Sequence, residues 1–353
     1  MSEIKSFKIE KHTIGPSYEP FIIAEMSGNH NGSLEKALAI VDAAAAAGAH
    51  ALKIQTYTAD TMTLDLKQGE FLISDPNSLW TGKTLYELYR EASTPWEWHK
   101  PIFDRCREKG IIGFSTPFDA TAVDFLEKLN VPCYKVASFE NTDLELIRKV
   151  ARTGKPVIIS TGMADLEEIE DAVRVLKEEK CSRYILLKCT SIYPSVAEEA
   201  NLSTIPDMIK RFGCPVGLSD HTLGTAVAVA SAALGACVVE KHFILSRKDE
   251  GVDSAFSLEP EELRRLVDET RAAWKAVGRV QYQPSPREEK SKQFRRTLYV
   301  VRDIKKGEKL TCENIRAIRP GLGLPIKHWS KVMTGVAACD LKRGTGLQLE
   351  HIA

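Results

Sequence analysis

Two lysines within apolar stretches of this sequence are the first candidates for functional residues. Lys53 lies within ALKIQT and Lys135 within CYKVAS, and both stretches otherwise read as protein interior. Because an unpaired buried ammonium group is costly, each lysine is expected to meet an anion. Hydroxyl side chains end several other apolar stretches, among them Thr116, Ser160 and Ser219. Together these residues predict a pocket for an oxyanion such as phosphate or carboxylate.

Two histidines stand at comparable positions in later stretches, His221 in GLSDHT and His242 in EKHF. Two imidazoles leave coordination positions open, which suits a catalytic divalent metal better than a closed structural zinc, although either histidine alone could be structural. Side chains alternate along a strand, so Glu240 and His242 share one face and Lys241 points the other way. We therefore expect His242 at the active site, Glu240 deeper on the same face and Lys241 outside.

Eight short β-rich runs carry these residues and alternate with longer amphipathic segments. This alternation predicts parallel βα units, and eight units within roughly 260 residues favour a closed (β/α)8 barrel over an open doubly wound sheet. No G-x-G-x-x-G follows the first run, which removes the main support for a dinucleotide-binding fold. In a (β/α)8 barrel the carboxyl ends of the strands surround the active site. The predicted strands are residues 21–26, 51–56, 111–116, 133–138, 157–161, 184–190, 216–220 and 237–243.

The segments outside the barrel suggest a hairpin and a second module. The residues before Phe21 predict a short hairpin over the N-terminal face of a barrel domain that spans residues 1–282. Residues 283–293 are polar and contain two prolines, which is typical of a linker. Residues 294–353 read as short strands and turns, a β-rich module near the lower size limit for independent stability. We therefore expect this module to pack against something else.

Composition excludes several classes of protein. The chain has 48 Lys+Arg and 48 Asp+Glu, and this zero net charge argues against a nucleic-acid or anionic-membrane partner. The longest apolar stretch, residues 226–239, is shorter than the roughly 18 residues of a membrane span, and no signal-peptide core opens the chain, so a cytoplasmic location is expected. Eight scattered cysteines without a C-x-x-C pair predict buried reduced thiols. The residues alone thus indicate a barrel enzyme acting, with a metal, on a small phosphorylated or carboxylated substrate.

Motifs that occur along the whole chain indicate a protein family. They are IAEMSGNHNGSLEKA, LKIQTYTADTM, FSTPFD, KVASFENTD, ISTGMA, LKCTSIYP, GLSDHT, EKHF, RRTLYVVRDIKKGE and RPGLG. In content and order they resemble the sialic acid synthase family, and most closely its pseudaminic acid synthase branch. The resemblance implies a (β/α)8 TIM barrel followed by a small C-terminal antifreeze-like (SAF) domain, in a domain-swapped homodimer. It also implies condensation of phosphoenolpyruvate, water and 2,4-diacetamido-2,4,6-trideoxy-L-altrose to pseudaminate and phosphate, with C–O cleavage.

The resemblance also implies roles for single residues. His221 and His242 would bind Mn2+, or Mg2+ or Co2+, as a Lewis acid toward the aldehyde oxygen. Glu25 matches a carboxylate that handles protons, and Arg319 matches an arginine that the swapped domain places over the partner's barrel. Asp253 and Tyr193 match positions near the sugar and the metal. The other implied substrate-binding residues, most of them in the phosphoenolpyruvate shell, are Lys53, Gln55, Thr116, Lys135, Ser138, Ser160, Ser191 and Ser219.

Two departures from the sialic pattern bear on specificity. Ser191 stands where the sialic branch usually has Asn, and Asp253 is followed by SAFS. Both changes favour a 6-deoxy sugar with two acetamido groups over N-acetylmannosamine. The alternatives are an N-acetylneuraminate or legionaminate synthase of the same family, a metal-dependent pyruvate aldolase and a non-catalytic sugar-binding protein. Arg319 has an alternative role too, since R-P-G in a small β module can form a plain turn.

Overall fold

A computed structural model describes residues 4–76 and 78–353. The chain divides into two compact units, Met1–Gly278 and Arg279–Ala353. The first unit opens with an antiparallel hairpin of β1 (Phe7–Ile9) and β2 (His12–Ile14). The hairpin predicted before Phe21 is therefore confirmed.

Eight parallel strands follow and close into a barrel. Each strand pairs with the next along the chain, and the last pairs with both the first and the seventh. All eight predicted runs are strands, with bounds that differ from the predicted ones by at most two residues. The barrel strands are β3 (Phe21–Glu25), β4 (Ala51–Thr56), β5 (Ile112–Pro117), β6 (Tyr134–Val136), β7 (Val157–Ser160), β8 (Tyr184–Cys189), β9 (Val216–Asp220) and β10 (Val238–His242).

Helices in the connections between strands pack around the barrel. Several begin at a side-chain cap, as at Ser33, Asp119 and Asp165, whose oxygens accept backbone N–H groups of the first turn. Gly213, with φ of 63°, ends the helix Thr204–Phe212 in the left-handed region that favours glycine. The helices of this unit are α1 (Leu34–Ala46), α2 (Ala59–Met62), α3 (Leu85–Ala92), α4 (Trp96–Glu108), α5 (Ala120–Lys128), α6 (Leu144–Arg152), α7 (Leu166–Glu178), α8 (Thr204–Phe212), α9 (Ala226–Ala233) and α10 (Pro260–Val277).

Two apolar clusters divide the barrel unit. One lies between strands and helices, and the other fills the lower lumen with inward side chains such as Ile23, Phe114 and Ile185. Ile9 and Ile14 of the hairpin belong to the lumen cluster, so the hairpin closes the N-terminal end of the barrel. Polar chemistry is thereby confined to the upper lumen and the opposite mouth.

The second unit is a small β-rich module. It contains α11 (Pro286–Ser291), β11 (Thr297–Val300), β12 (Ile315–Ile318), β13 (Leu324–Pro325) and α12 (Trp329–Thr334). The three strands form one antiparallel sheet with β11 in the centre. Its own core includes Leu298, Val300 and Leu347. Residues 283–293, predicted as a linker, contain α11 and cluster with this unit.

Two further expectations concern thiols and membrane spans. All eight cysteines lie in the described part of the chain as free thiols, six of them buried, with Cys312 and Cys339 exposed. Within residues 4–76 and 78–353, every helix is too short or too polar to cross a membrane.

Candidate functional site

Two carboxylates and two lysines meet in the upper lumen of the barrel. Lys53 Nζ lies 2.6 Å from Glu25 Oε2 and 3.7 Å from Glu240 Oε1. Lys135 Nζ donates to Glu240 Oε1 at 3.2 Å. All four side chains are at most 6% exposed. The two lysines thus meet anions supplied by the protein itself, on strands β3, β4, β6 and β10.

Neutral polar side chains extend this network around the lumen. Lys53 Nζ donates to Thr116 Oγ1 at 2.9 Å, and Gln55 Nε2 donates to Glu25 Oε1 at 3.2 Å. Ser219 Oγ lies 3.4 Å from Glu240 Oε1. Glu240 Oε2 is buried and has no hydrogen-bond partner among the described residues. Polar groups in the lumen therefore remain available for further hydrogen bonds, which a ligand with both donors and acceptors can make.

The two carboxyl groups differ in their affinity for a proton. Burial raises the pKa of Glu25, although the charge of Lys53 opposes it. Burial acts on Glu240 in the same direction, but the charges of Lys135 and Lys53 outweigh it and lower the pKa of Glu240. Neighbouring carboxyls whose pKa values are pushed apart are a common arrangement for acid and base roles. These directions favour the protonated form of Glu25 and the ionised form of Glu240.

A cup of hydroxyl groups forms where strands β6, β7 and β8 end. Gly162 N donates to Ser138 Oγ at 3.1 Å, and Ser160 Oγ is buried without a hydrogen-bond partner among the described residues. A Cβ atom at Gly162 would collide with Ser191 Oγ and lie 2.7 Å from Ser138 Oγ. The glycine lets the backbone approach Ser138 and Ser191 closely. This cup fits the oxygens of a phosphate or carboxylate group.

The two histidines face each other at the barrel mouth, with ring centroids 5.4 Å apart. His221 Nδ1 donates to Thr190 O at 2.9 Å, so the neutral ring presents an unprotonated Nε2. His242 Nδ1 has no hydrogen-bond partner in the described chain and lies 3.9 Å from Asp253 Oδ2. Burial, with the charge of His221, lowers the pKa of His242 well below its ordinary value. His242 therefore offers a nitrogen lone pair, and His221 offers that of Nε2 when its ring is neutral. Burial lowers the pKa of His221, but its contacts with Cys189 and Thr190 outweigh burial and raise it.

This donor set fits a divalent metal held by two imidazoles. Within residues 4–76 and 78–353 no group of three or more His, Cys, Asp or Glu side chains is arranged to hold a metal ion. A metal bound to His221 and His242 would thus take its other ligands from substrate or water. Such an open site is what a catalytic metal needs, whereas a structural zinc needs four protein ligands.

Aromatic rings border the histidines. The Tyr193 ring lies 4.4 Å from that of His221, and the Phe256 ring lies 4.9 Å from that of His242, measured between centroids. The two aromatic rings are 5.3 Å apart. They give this side of the mouth an apolar wall beside the polar lumen.

Most of the site residues implied by the sequence converge on this mouth. They are Glu25, Lys53, Gln55, Thr116, Lys135, Ser138, Ser160, Ser191, Tyr193, Ser219, His221, His242 and Asp253. Arg319 directly follows β12 in the second unit, and its role stays a prediction.

Sequence reasoning missed Glu140, which follows β6 in the loop that also holds Ser138. Its Oε2 is buried without a hydrogen-bond partner in the described part of the chain. Burial raises the pKa of Glu140 to about 7, against the opposing charge of Lys135. The available signal is Glu140 within KVASFENTD, but this residue lies beyond the strand end, where the sequence assigns no direction to its side chain. Glu140 is a second carboxyl group suited to proton transfer near neutral pH.

Cys189 was also overlooked as a neighbour of the histidines. Its Sγ lies 3.9 Å from His221 Nδ1 and 3.6 Å from Ser191 Oγ. Burial would raise the pKa of this thiol, but the hydrogen bond and charge of His221 bring it to about 7. The sequence pattern KCT gave no sign that this buried cysteine faces the site.

Comparisons with known proteins agree with this fold. Residues 40–282 match the NeuB family and residues 295–353 match the SAF domain. The pseudaminic acid synthase of Campylobacter jejuni subsp. jejuni serotype O:2 is 44% identical over 93% of this chain and 95% of its own length. The pseudaminic acid synthase of Helicobacter pylori is 42% identical over 94% of this chain and 98% of its own length.

A solved structure supports the same fold and family. The N-acetylneuraminic acid (sialic acid) synthetase of Leptospira borgpetersenii serovar Hardjo-bovis, in complex with citrate, matches with a TM-score of 0.73 and 32% identity. The match covers 82% of this chain and 96% of that one. The predicted TIM barrel with a C-terminal SAF domain and the predicted family resemblance are both confirmed. The chain belongs to the NeuB family and carries a C-terminal SAF domain.

Proposed function

We propose that this chain is a pseudaminic acid synthase. It condenses phosphoenolpyruvate, water and 2,4-diacetamido-2,4,6-trideoxy-L-altrose to pseudaminate and phosphate. One observation carries the proposal: ammonium and hydroxyl donors for an oxyanion and two imidazoles with free nitrogens share a single barrel mouth. The family and its pseudaminic members support the choice of reaction.

Phosphoenolpyruvate binds in the upper lumen in this proposal. Its phosphate and carboxylate groups require cationic and hydroxyl donors, which Lys53, Lys135 and the serine cup supply. The unpartnered Ser160 Oγ gains a hydrogen bond when an oxyanion binds. The substrate donors of this shell are Lys53, Thr116, Lys135, Ser138, Ser160 and Ser219.

The reaction breaks one bond and forms one at C3 and at the aldehyde carbon. At C2 the π bond to C3 and the bond to the phosphate oxygen are replaced by two bonds to the oxygen of water, which gives up both its protons. Water attacks C2 of phosphoenolpyruvate, C3 bonds to the aldehyde carbon, and the aldehyde oxygen takes up a proton to become a hydroxyl. Tetrahedral C2 then expels phosphate with its bridging oxygen and becomes the keto carbon. Glu25 and Glu140, whose pKa values burial raises, hold and move the protons of water and aldehyde oxygen.

His221 and His242 hold a divalent metal, which we propose is Mn2+, with Mg2+ or Co2+ as substitutes. When bound, the metal supplies Lewis acidity toward the sugar aldehyde. Asp253, 3.9 Å from His242, helps orient that ring and the sugar. Gln55, Ser191 and Tyr193 contact the sugar.

The mouth supports a 6-deoxy diacetamido sugar as the second substrate. Ser191 is short, and the Tyr193 and Phe256 rings form an apolar wall that suits a methyl group better than a hydroxyl. A substrate panel tests this choice. Phosphate release and product mass are measured with the altrose, with 2,4-diacetamido-2,4,6-trideoxymannose and with N-acetylmannosamine.

The expected result is the highest kcat/KM with the altrose. A preference for either other sugar would instead assign a legionaminate or N-acetylneuraminate synthase. Condensation with pyruvate in place of phosphoenolpyruvate would assign an aldolase. Absence of turnover with every sugar, alongside sugar binding, would favour a non-catalytic sugar-binding protein.

We further propose a domain-swapped homodimer in the cytoplasm, in which Arg319 completes the partner's active site. Apolar side chains 51–64% exposed stand in loops that follow strands β6 to β9, which supports a covering surface at the mouth. The free thiols of the described chain suit a reducing compartment. The exposed rim residues are Phe139, Met163, Ile192, Val196 and Leu223.

A mixing experiment tests the trans role of Arg319. The Glu25→Ala and Arg319→Ala variants, each inactive as a homodimer, are mixed under subunit exchange. If Arg319 acts across the interface, mixed dimers contain one intact site and recover part of the activity. Lack of recovery, with exchange verified by mass, would remove the trans role.

A further inference from the structure

A buried ion pair lies just outside the lumen, between the two strands that carry the histidines. Asp220 Oδ2 and Lys241 Nζ are 2.6 Å apart, and their side chains are 2% and 0% exposed. The two residues are register partners on β9 and β10. Ser219 and Glu240, one position earlier, contact each other inside the lumen, so the ion pair occupies the opposite face of both strands.

The same pair binds the backbone just beyond His221. Asp220 Oδ1 accepts hydrogen bonds from Thr222 N at 2.9 Å and from Thr222 Oγ1 at 2.8 Å. Lys241 Nζ donates to Thr222 O. The residues on both sides of His221 are therefore fixed to Lys241, the residue that precedes His242.

Stability alone gives little reason for this ion pair. Well-packed apolar side chains are often as stabilising as a buried ion pair, because both charges must leave water. The pair instead provides hydrogen bonds with a fixed direction. These bonds join the segments that carry His221 and His242 at one point, through two residues that are 21 positions apart in sequence. Residues that do not touch a metal but make hydrogen bonds around its ligands typically set the orientation of those ligands.

We propose that Asp220, Lys241 and Thr222 are positioning residues that fix the spacing and direction of His221 and His242 for a divalent cation. The inference rests on the proposed metal-dependent function. It adds that correct metal affinity depends on contacts outside the lumen, which touch neither substrate nor metal.

The test uses the Asp220→Asn/Lys241→Met double variant of the full chain. Single removals would leave one buried charge without its partner, whereas the double variant removes both charges at similar volume. Mn2+ affinity is measured by EPR titration, alongside kcat and KM for phosphoenolpyruvate and far-UV CD. We expect Mn2+ binding to weaken by roughly 10- to 100-fold, the usual effect of losing such support. KM for phosphoenolpyruvate should change little, because Lys53 and Lys135 are untouched.

Two more variants keep the result interpretable. Thr222→Val removes one hydroxyl bond at constant shape and should weaken Mn2+ binding in the same direction but less. Tyr134→Phe is the matched control, because it removes a partly buried 2.6 Å hydrogen bond from the buried Tyr134 to Glu127 on the outer side of β6. Its Mn2+ affinity should equal that of the wild type.

The outcomes separate this inference from the proposed function. A wild type that binds no Mn2+ and condenses no sugar contradicts the function itself. A functional wild type with unchanged Mn2+ affinity in folded double and Thr222→Val variants overturns the positioning role. If the double variant fails to fold, Thr222→Val decides alone, and unchanged affinity there overturns the inference.

Discussion

Glu240 is the anion that contacts both buried lysines of the lumen, Lys53 and Lys135. Removing its charge should therefore strongly lower the free energy of unfolding. Glu240→Gln keeps the shape of the side chain and removes only the charge. At an effective dielectric of about 20, the contacts of 3.2 Å to Lys135 and 3.7 Å to Lys53 correspond to about 5 and about 4 kcal/mol of attraction. Part of this is offset, because the variant no longer buries a carboxylate and because burial lowers the pKa of Lys135, which eases its deprotonation. We expect a net loss of about 3 to 5 kcal/mol.

The assay is urea unfolding followed by CD, with and without phosphoenolpyruvate. Glu178→Gln is the matched control, since Glu178 makes the same kind of contact with Arg174 at 3.1 Å on the surface. Exposed pairs of this kind contribute about 1 kcal/mol or less. Phosphoenolpyruvate should stabilise Glu240→Gln more than the wild type, because its anionic groups replace the missing charge beside the lysines. A loss no larger than that of Glu178→Gln would refute the assignment of Glu240 as an ionised carboxylate.

Three further predictions concern the reaction. His242→Ala should abolish detectable Mn2+ binding by EPR and lower kcat by about 100-fold or more, since a Lewis acid supplies several kcal/mol; full activity in the presence of a chelator would contradict this. Glu140 is protonated below its pKa of about 7, so kcat should fall as pH rises through 7, and Glu140→Gln should lose that limb of the pH profile. Gly162→Ala places a methyl group against Ser191, and overpacking of this kind costs about 1 to 3 kcal/mol. The KM for phosphoenolpyruvate should therefore rise by about tenfold. An unchanged KM would show that the serine cup does not bind this substrate.

The barrel was predictable because its strands combine apolar composition with regular helical spacers. The alternation of side chains also placed Glu240 inside and Lys241 outside, as the ion pairs with Lys135 and Asp220 bear out. Lys53 and Lys135 could be assigned to an anion from their apolar neighbours alone. Which anion each meets depends on the register between strands, and that register is set by packing rather than by local sequence.

Loop residues escaped prediction for a different reason. Glu140 lies two residues after Ser138, beyond the end of the regular strand, where no periodicity assigns a direction to a side chain. Phe256 reads in sequence as one more core residue, and only the fold brings its ring to His242. The stretch predicted as a linker contains a helix that the prediction did not include: Pro286 begins α11, at a helix position where proline is well tolerated.

The hairpin and apolar cluster at the base of the barrel leave the lumen open at one end. Glu240 lies two residues before His242 on β10, so the layer that holds Lys53, Lys135 and Glu240 is deeper in the lumen than the histidine layer, by roughly 6 to 7 Å measured along the strand. A reactant bound in the upper layer therefore blocks the path to the lower one. Steady-state kinetics should consequently be sequential and ordered, with phosphoenolpyruvate entering before the sugar. On the product side, the nonulosonic acid has to depart before phosphate can escape, so inorganic phosphate should compete with phosphoenolpyruvate for the free enzyme.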